Sequence, residues 1–201
     1  MSSLRKIGIL LAGFIIYTYS VISNSLITNY DKEIIGYIQK SIKSIPPIYF
    51  ILPDCALFAS LIVLILIVGI IYFVKNKMYK KACLYLLLPV ISYLINKGLK
   101  IIINRPRPLE FATIIYPKSS SFPSTHSLTT FVMFSVFCYL MFKYSKNKIL
   151  NYAVMMFSII WIIYVGFSRV AIGVHNLTDV IGGYFLGTII VLGFIQIEKK
   201  L

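Results

Sequence analysis

The 201-residue chain is too apolar for a soluble domain, since 59% of its residues are hydrophobic and only 13% are charged, against about 25% charged in soluble proteins. Its net charge of +14 would suggest nucleic acid in a soluble protein, but the chain has no basic run interleaved with aromatic residues. The composition indicates a membrane protein with a single domain over residues 1–201, no nucleic-acid partner, and a positive charge that reflects membrane topology and an anionic ligand.

Six apolar runs are each long enough to cross a bilayer, which requires about 20 residues. They cover residues 7–27, 55–74, 82–103, 124–142, 150–167 and 180–197. The sequence therefore predicts an all-α bundle of six transmembrane helices. The last run contains Gly182, Gly183 and Gly187, which would allow a neighbouring helix to approach closely.

The first run follows Arg5 and Lys6 and resembles a signal peptide. It is long for one and lacks a small-x-small cleavage site, so we interpret it as an uncleaved first membrane helix. After it, four isoleucines recur at helical spacing: Ile34, Ile35, Ile38 and Ile42. This pattern predicts an interfacial helix between the first two membrane helices, or a connector packed on the bundle, that ends at Pro46 and Pro47.

The three cysteines, Cys55, Cys83 and Cys138, lie in or beside apolar runs. They have neither the spacing of a metal site nor a histidine at ligand distance in the sequence. We interpret them as small core residues and expect no metal or other cofactor.

Three polar clusters interrupt the apolar second half of the chain: residues 100–108, 123–126 and 168–179, here called the first, second and third polar clusters. Both histidines of the chain lie in the second and third clusters. Ionisable residues at membrane-helix ends are costly and commonly functional. The clusters are therefore the candidate functional site.

The residue types of the clusters suit a phosphate group. Lys100, Arg107 and Arg169 are cations, and the planar donor fork of arginine fits phosphate oxygens. Ser124 and Thr125 supply hydroxyls and backbone N–H groups at the expected start of a helix, which favours an anion.

His175 and Asp179 are four residues apart, so they would share one face if that stretch is helical. The carboxylate could then hold one ring nitrogen and raise the basicity of the other. His175 is thus a candidate nucleophile, and His126 remains to protonate the leaving oxygen. Taken singly, each cluster also fits a structural role: a basic loop beside a membrane, a turn that opens a helix, or an ion pair at a helix end.

The combined pattern resembles a known family. Lys-x6-Arg-Pro, Pro-Ser-x-His and Ser-Arg-x5-His-x3-Asp, over residues 100–179, are similar to the three-part signature of the type 2 phosphatidic acid phosphatase superfamily, which includes membrane lipid phosphatases and is related to vanadium haloperoxidases. The resemblance implies a metal-independent phosphatase that works through a phospho-histidine.

The resemblance also implies a role for each site residue. The residues that would bind phosphate are Lys100, Arg107, Ser124, Thr125 and Arg169. His175 would be the nucleophile, Asp179 its partner and His126 the general acid. The family usually has glycine at the position of Thr125, where threonine adds bulk and a hydroxyl.

The distribution of lysine and arginine predicts the orientation in the membrane. With the N-terminus inside, the inner segments carry most of these residues, and only Glu198 offsets them. We therefore expect a multi-pass protein of the plasma (inner) membrane with both termini in the cytoplasm. All three polar clusters would then face the periplasm or the exterior.

The expected reaction is hydrolysis of a lipid phosphate or diphosphate whose tail stays in the bilayer. The run Ser-Phe-Pro-Ser-x-His after Arg-Pro-Arg-Pro is similar to undecaprenyl diphosphate phosphatases, which slightly favours that substrate over phosphatidylglycerophosphate or lipid A. Two other functions are alternatives. A phosphotransferase would use the same histidine and an acceptor, and an anion channel would use the cations but has no need of the His175–Asp179 pair.

Overall fold

The computed structural model describes residues 3–46, 48–52, 56–113 and 117–201. This part of the chain is helical and contains no strand. Its helices are α1 (Ser3–Ser23), α2 (Ser25–Ser41), α3 (Ile48–Ile51), α4 (Ala56–Lys75), α5 (Tyr79–Ile103), α6 (Thr125–Tyr144), α7 (Lys148–Ala171) and α8 (Leu177–Glu198). A short 3-10 helix, Leu109–Phe111, lies between α5 and α6.

Five of the described helices, α1, α5, α6, α7 and α8, are long and apolar enough to cross a membrane. The fourth helix adds a shorter apolar stretch, Ala59–Lys75. These helices follow the six predicted runs in order, so the predicted all-α membrane bundle is confirmed. The protein is therefore a multi-pass membrane protein.

The predicted helix between the first two membrane helices is α2. Asn24 caps it by accepting a hydrogen bond from the Leu26 N–H at 2.9 Å. The helix packs against α1, α7 and α8, with Asp31 and Ile35 buried. It ends at Ser41, before Pro46, and Pro47 lies outside the described residues. A face of α2 is thus tied to the two helices that carry the third polar cluster.

The cysteines follow the interpretation as core residues only in part. Cys138 is partly buried, and its Sγ lies 3.2 Å from Ser158 Oγ on α7. Cys83 is exposed, so its assignment to the core was wrong. It lies in the first turns of α5. Cys55 lies outside the described residues.

The first polar cluster begins where α5 ends. Asn104 adopts a left-handed conformation with φ of 45°, and its N–H donates to the Lys100 carbonyl at 3.0 Å. The following Arg-Pro-Arg-Pro sequence cannot continue the helix, because proline lacks the N–H donor and disfavours helical geometry in the residue before it. The predicted end of this helix is confirmed.

Glycines bring α6 and α8 together, as the sequence predicts. A Cβ added at Gly183 would lie 2.9 Å from the Ser124 carbonyl oxygen, and one at Gly187 would lie 2.7 Å from the Phe131 ring. Contacts this short leave no room for a side chain. The starts of α6 and α8 therefore meet at one end of the bundle.

We expect Gly183→Ala to lower both the melting temperature and the phosphatase activity, because the added methyl must push the α6 backbone away from α8. Overpacking of this kind costs about 1–3 kcal/mol. The matched control is Gly193→Ala in the same helix, where an added Cβ meets nothing within 4 Å. A Gly183→Ala protein that melts and turns over like Gly193→Ala would contradict the close approach.

The opposite end of the bundle is held by a buried carboxylate. Glu198 is fully buried and accepts hydrogen bonds from Lys81 Nζ at 2.8 Å and Tyr139 Oη at 2.9 Å. Lys143 and Tyr144 also donate to it. This cluster, here called the Glu198 cluster, joins α5, α6 and α8 at the end remote from the three polar clusters.

Candidate active site

The three polar clusters meet at the end of the bundle where α5 and α7 finish and α6 and α8 begin. Lys100 lies in the last turn of α5 and Arg169 in the last turn of α7. His126 is the second residue of α6. His175 lies just before α8, and Asp179 is in its first turn. Residues far apart in the chain are thus brought to one place.

A cavity of about 270 Å³ lies among them. Its lining consists of Arg107, Pro117, Ser119, Thr125, His126, Arg169, Val174 and His175. Two arginines and both histidines therefore share one concave site, which is the usual form of a ligand site. The other three predicted site residues, Lys100, Ser124 and Asp179, are buried and do not line this cavity.

His175 is 3% exposed and has a partner at each ring nitrogen. Nδ1 lies 3.4 Å from Ser121 Oγ and 3.5 Å from Asp179 Oδ2, both at the outer limit of a hydrogen bond. Nε2 lies 3.1 Å from Arg107 Nη1. Because a guanidinium can only donate, Nε2 must be the accepting, unprotonated nitrogen. The proton of the neutral ring is then on Nδ1, beside the carboxylate.

Burial lowers the pKa of His175 to about 3, even though the hydrogen bond to Asp179 opposes this shift. The neighbouring charge of Arg107 lowers the pKa further. The ring is therefore neutral at physiological pH, with a lone pair on Nε2 in the cavity wall. That is the state a nucleophilic histidine requires.

His175 and Asp179 do not share a helix face, so the helical condition of the sequence argument is not met. The chain turns at Gly173, which has φ of 73°, and a Cβ there would lie 2.0 Å from the Phe111 carbonyl oxygen. Asp179 reaches back because its Oδ2 accepts the backbone N–H of Asn176 at 2.8 Å. The pair is thus formed by the cap of α8, as an acidic residue in a first helical turn can provide.

Arg107 is held by the segment between α5 and α6. Its Nε donates to the Ser119 carbonyl at 2.6 Å, and Nη2 donates to Ser119 Oγ at 3.1 Å. Nη1 donates to the Val174 carbonyl at 2.7 Å. The guanidinium fork is therefore fixed between Ser119 and the third polar cluster before any substrate enters.

Lys100 supports the same segment from behind. Its Nζ donates to the carbonyl of Ser120 and, at 3.2 Å, to that of Ser121. The Ser120 hydroxyl returns a hydrogen bond to the Lys100 carbonyl at 2.8 Å. The ammonium thus places a positive charge behind the cavity wall.

Arg169 is almost fully buried although it lines the cavity. Nη2 donates to the Phe50 carbonyl at 3.0 Å, and Nε donates to Ser168 Oγ at 3.1 Å. Phe50 belongs to the short helix α3, which was not predicted. The segment after α2 therefore orients a cation of the site.

The start of α6 uses Ser124 and Thr125 differently from the sequence argument. The Ser124 N–H donates to the Asp179 carbonyl at 3.0 Å, so it joins α6 to α8 instead of pointing to the cavity. Thr125 does line the cavity, but its hydroxyl donates to Asn96 Oδ1 on α5 at 3.0 Å. The extra hydroxyl of threonine is thus satisfied by the neighbouring helix.

A set of polar residues around Asp179 was not predicted from the sequence. Arg105 donates to Asp179 Oδ1 and, at 3.0 Å, to Asp31 Oδ2. Ser121 donates to Asp179 Oδ2. The available signals were that Asp31 is one of only six acidic residues in the chain, and that Arg105 is two residues from Arg107.

Comparison with known proteins assigns the chain to a family. The family model described as PAP2 superfamily matches residues 81–201, a range that contains all three polar clusters. The chain belongs to the PAP2 superfamily, as its motifs indicate, and it is a membrane lipid phosphatase of that superfamily.

Two relatives come from Bacillus subtilis. Phosphatidylglycerophosphatase B of strain 168 is 37% identical to this chain over 147 residues, which cover 70% of each protein. The structure is similar, with a TM-score of 0.77 and 26% identity, to the crystal structure of the first transmembrane PAP2 type phosphatidylglycerolphosphate phosphatase from Bacillus subtilis. That similarity covers 98% of this chain and 97% of the other.

Proposed function

We propose that this protein removes the terminal phosphate of phosphatidylglycerophosphate through a phospho-histidine formed on His175, without a metal ion. The observation that carries the proposal is the environment of His175. Its Nε2 is unprotonated and lies in a cavity wall 3.1 Å from Arg107, while Nδ1 faces the Asp179 carboxylate. This is a nucleophile placed beside a cation that suits a phosphate group.

The substrate is chosen from the two relatives, both of which are named for phosphatidylglycerophosphate. The preference for undecaprenyl diphosphate rested on a short similarity around the second polar cluster. The similarity to phosphatidylglycerophosphatase B, at 37% identity, extends over 147 residues. It therefore covers more of the chain than the short run near the second polar cluster. Undecaprenyl diphosphate and lipid A are therefore retained as alternative outcomes of the substrate assay.

Binding would begin with the phosphate entering the cationic cavity while the acyl chains stay in the bilayer. Arg107 and Arg169 would hold the equatorial oxygens, since arginine forms bidentate contacts with phosphate. Lys100 would add positive charge from behind the wall, and Ser124 and Thr125 would shape the side formed by α6. The incoming anion would accept the hydrogen bond of Arg107 Nη1 in place of His175 Nε2 and so release the lone pair, while the other contacts of Arg107 hold the guanidinium in place.

In the first chemical step, His175 Nε2 attacks phosphorus and the bond from phosphorus to the glycerol oxygen breaks. His126 gives its proton to the leaving oxygen, which departs as the alcohol. The imidazole ring becomes positive, and Asp179 stabilises it through the proton on Nδ1. The cations stabilise the charge on the transferring phosphoryl group.

In the second step, water attacks the phospho-histidine. His126, now unprotonated, accepts a proton from that water, and inorganic phosphate leaves as the bond from phosphorus to Nε2 breaks. His175 returns to its neutral form with the proton on Nδ1. The cycle balances without a metal or other cofactor.

The proposed orientation places the site at the outer face of the plasma membrane and both termini in the cytoplasm. The proposal is supported by the many lysines at the opposite end of the bundle, around the Glu198 cluster. In a cysteine-free background, a membrane-impermeant thiol reagent should label Lys118→Cys but not Lys146→Cys in intact cells. The reverse labelling pattern would overturn the orientation.

The proposed domain organisation is a single domain over residues 1–201. It is supported by the packing of helix α1 on α8.

The deciding experiment measures phosphate release by detergent-purified protein in the presence of EDTA. The lipids are phosphatidylglycerophosphate, undecaprenyl diphosphate, phosphatidic acid and lipid A, each with His175→Ala as the control. We expect the highest kcat/KM with phosphatidylglycerophosphate, no loss in EDTA and no release by the variant.

Other outcomes of this assay would revise separate parts of the proposal. A higher kcat/KM with undecaprenyl diphosphate would replace the substrate. Activity that EDTA removes and a divalent cation restores would reject the metal-free mechanism. A phosphorylated acceptor with little free phosphate would indicate a phosphotransferase, and anion flux that survives His175→Ala would indicate a channel.

A further inference from the structure

A buried arginine bridges two carboxylates behind the proposed nucleophile. Arg105 Nη1 donates to Asp179 Oδ1, and Nη2 donates to Asp31 Oδ2 at 3.0 Å. The side chains of Arg105, Asp31 and Asp179 are 6%, 1% and 0% exposed. The carboxylate that contacts His175 is thus connected to a residue of α2, in the first half of the chain.

Thr178 closes this network at the start of α8. Its N–H donates to Asp31 Oδ1 at 3.1 Å, and its hydroxyl donates to Asp31 Oδ2. Arg105 Nη1 donates to Thr178 Oγ1 at 2.8 Å. Asp31 therefore satisfies an N–H of the first turn of α8 from another helix and places a negative charge where the helix dipole favours it.

The charge of this network matters for the reaction. Two carboxylates around one guanidinium leave a net negative charge, and Asp179 holds it beside His175 Nδ1. Removing charged groups from water is costly, so a buried ionic network is by itself weak evidence for a purely structural role. The same charge is useful when the ring becomes positive, because it favours the phosphorylated imidazolium.

We propose that Asp31 and Arg105 are positioning residues for the reaction: they hold Asp179 in the orientation that keeps the His175 proton on Nδ1, and their joint charge sets how strongly Asp179 stabilises the phospho-histidine. This inference rests on the proposed function of His175 and Asp179. Neither residue touches the substrate, so both act through Asp179. Because Asp31 belongs to α2, the proposal also gives that helix a role in catalysis.

The first test is Asp31→Asn, which removes the charge but keeps an oxygen to accept the Thr178 N–H. Arg105 would then neutralise Asp179 alone, and the pair would stabilise the imidazolium less. We expect kcat for phosphate release to fall by about 10- to 100-fold, by analogy with the loss seen when a group that orients a metal-binding histidine is removed. KM should stay within about 2-fold, since the cavity lining is unchanged.

The second test is a double-mutant cycle. Arg105→Gln leaves two buried carboxylates without their shared cation, so their repulsion should displace Asp179 from Nδ1 or cause it to take up a proton. We therefore expect a larger loss of kcat than with Asp31→Asn. The double variant Asp31→Asn with Arg105→Gln restores the net charge of the wild-type network. Its kcat should therefore exceed that of Arg105→Gln alone, although it carries one more substitution.

The matched control is Glu198→Gln in the Glu198 cluster, at the other end of the bundle. Glu198 is also fully buried and paired with cations. We expect this variant to lower the melting temperature but to keep the wild-type kcat per folded molecule. If Asp31 has only a structural role, Asp31→Asn should likewise lower the melting temperature and keep the wild-type kcat per folded molecule.

The inference fails if folded Asp31→Asn keeps its kcat, or if the losses in the cycle simply add. These outcomes differ from a failure of the proposed function. That failure would appear in the wild-type protein, as no phosphate release from any lipid, or as activity that survives His175→Ala.

Discussion

Replacing His175 by asparagine should lower kcat for phosphate release by at least about 10⁴-fold, since loss of a nucleophile removes the covalent route and leaves only binding and electrostatic effects. Asparagine suits this test because its side-chain N–H₂ can still donate to Asp179, whereas it has no counterpart of Nε2. The folded state should therefore survive. The measurement is steady-state phosphate release, together with the melting temperature of each protein.

The companion variant is His126→Ala, which keeps the nucleophile and removes the proposed acid. An ester with a good leaving group, such as p-nitrophenyl phosphate, needs little protonation as it departs. We expect His126→Ala to lose much more activity on the lipid than on this ester, whereas His175→Asn should lose activity on both. Equal losses on the two substrates in His126→Ala would remove His126 from the role of general acid.

A second large effect is expected at Arg107, the cation that contacts both the cavity and His175 Nε2. Arg107→Gln should lower kcat/KM by about 10³-fold, because one preorganised donor to the developing charge is lost. Arg107→Lys should lose less, since lysine retains the charge but not the planar fork. Initial rates over a range of lipid concentrations would separate the effects on kcat and KM.

Lys32→Ala is the control for charge at the same end of the bundle. Lys32 pairs with Glu110 at 2.9 Å, and both side chains are half exposed, so the pair contributes little. We expect its kcat/KM to match the wild type. If Arg107→Gln also stays within about 10-fold of the wild type, Arg107 is not the main phosphate ligand.

The effect at Arg107 would also explain why the first polar cluster needs two arginines. Arg107 is held toward the cavity by the Ser119 and Val174 carbonyls, and Arg105 turns to the opposite side and binds two carboxylates. In the proposed mechanism, one arginine therefore binds the substrate and the other orients the partner of the proposed nucleophile. The proline after each of them restricts the backbone conformation of that arginine.

Part of this protein was evident without a structure, because it depends on local physical chemistry. Apolar runs must be helical in a bilayer, since each backbone polar group needs a partner within its own segment. The end of α5 follows from Pro106 and Pro108, and the close packing of α8 follows from Gly183 and Gly187. The order and spacing of the three polar clusters were sufficient to indicate the family.

The partners of the site residues were decided only by the tertiary structure. The sequence marks Asp31 as an unusual acidic residue and Arg169 as a cation. It does not show that Asp31 contacts Thr178 or that Arg169 contacts Phe50. His175 reaches Asp179 through a helix cap, which spacing alone could not distinguish from a shared helix face. These contacts depend on how helices distant in the chain are rotated and shifted against one another. That arrangement is set by the packing of the whole bundle, and no local pattern carries it.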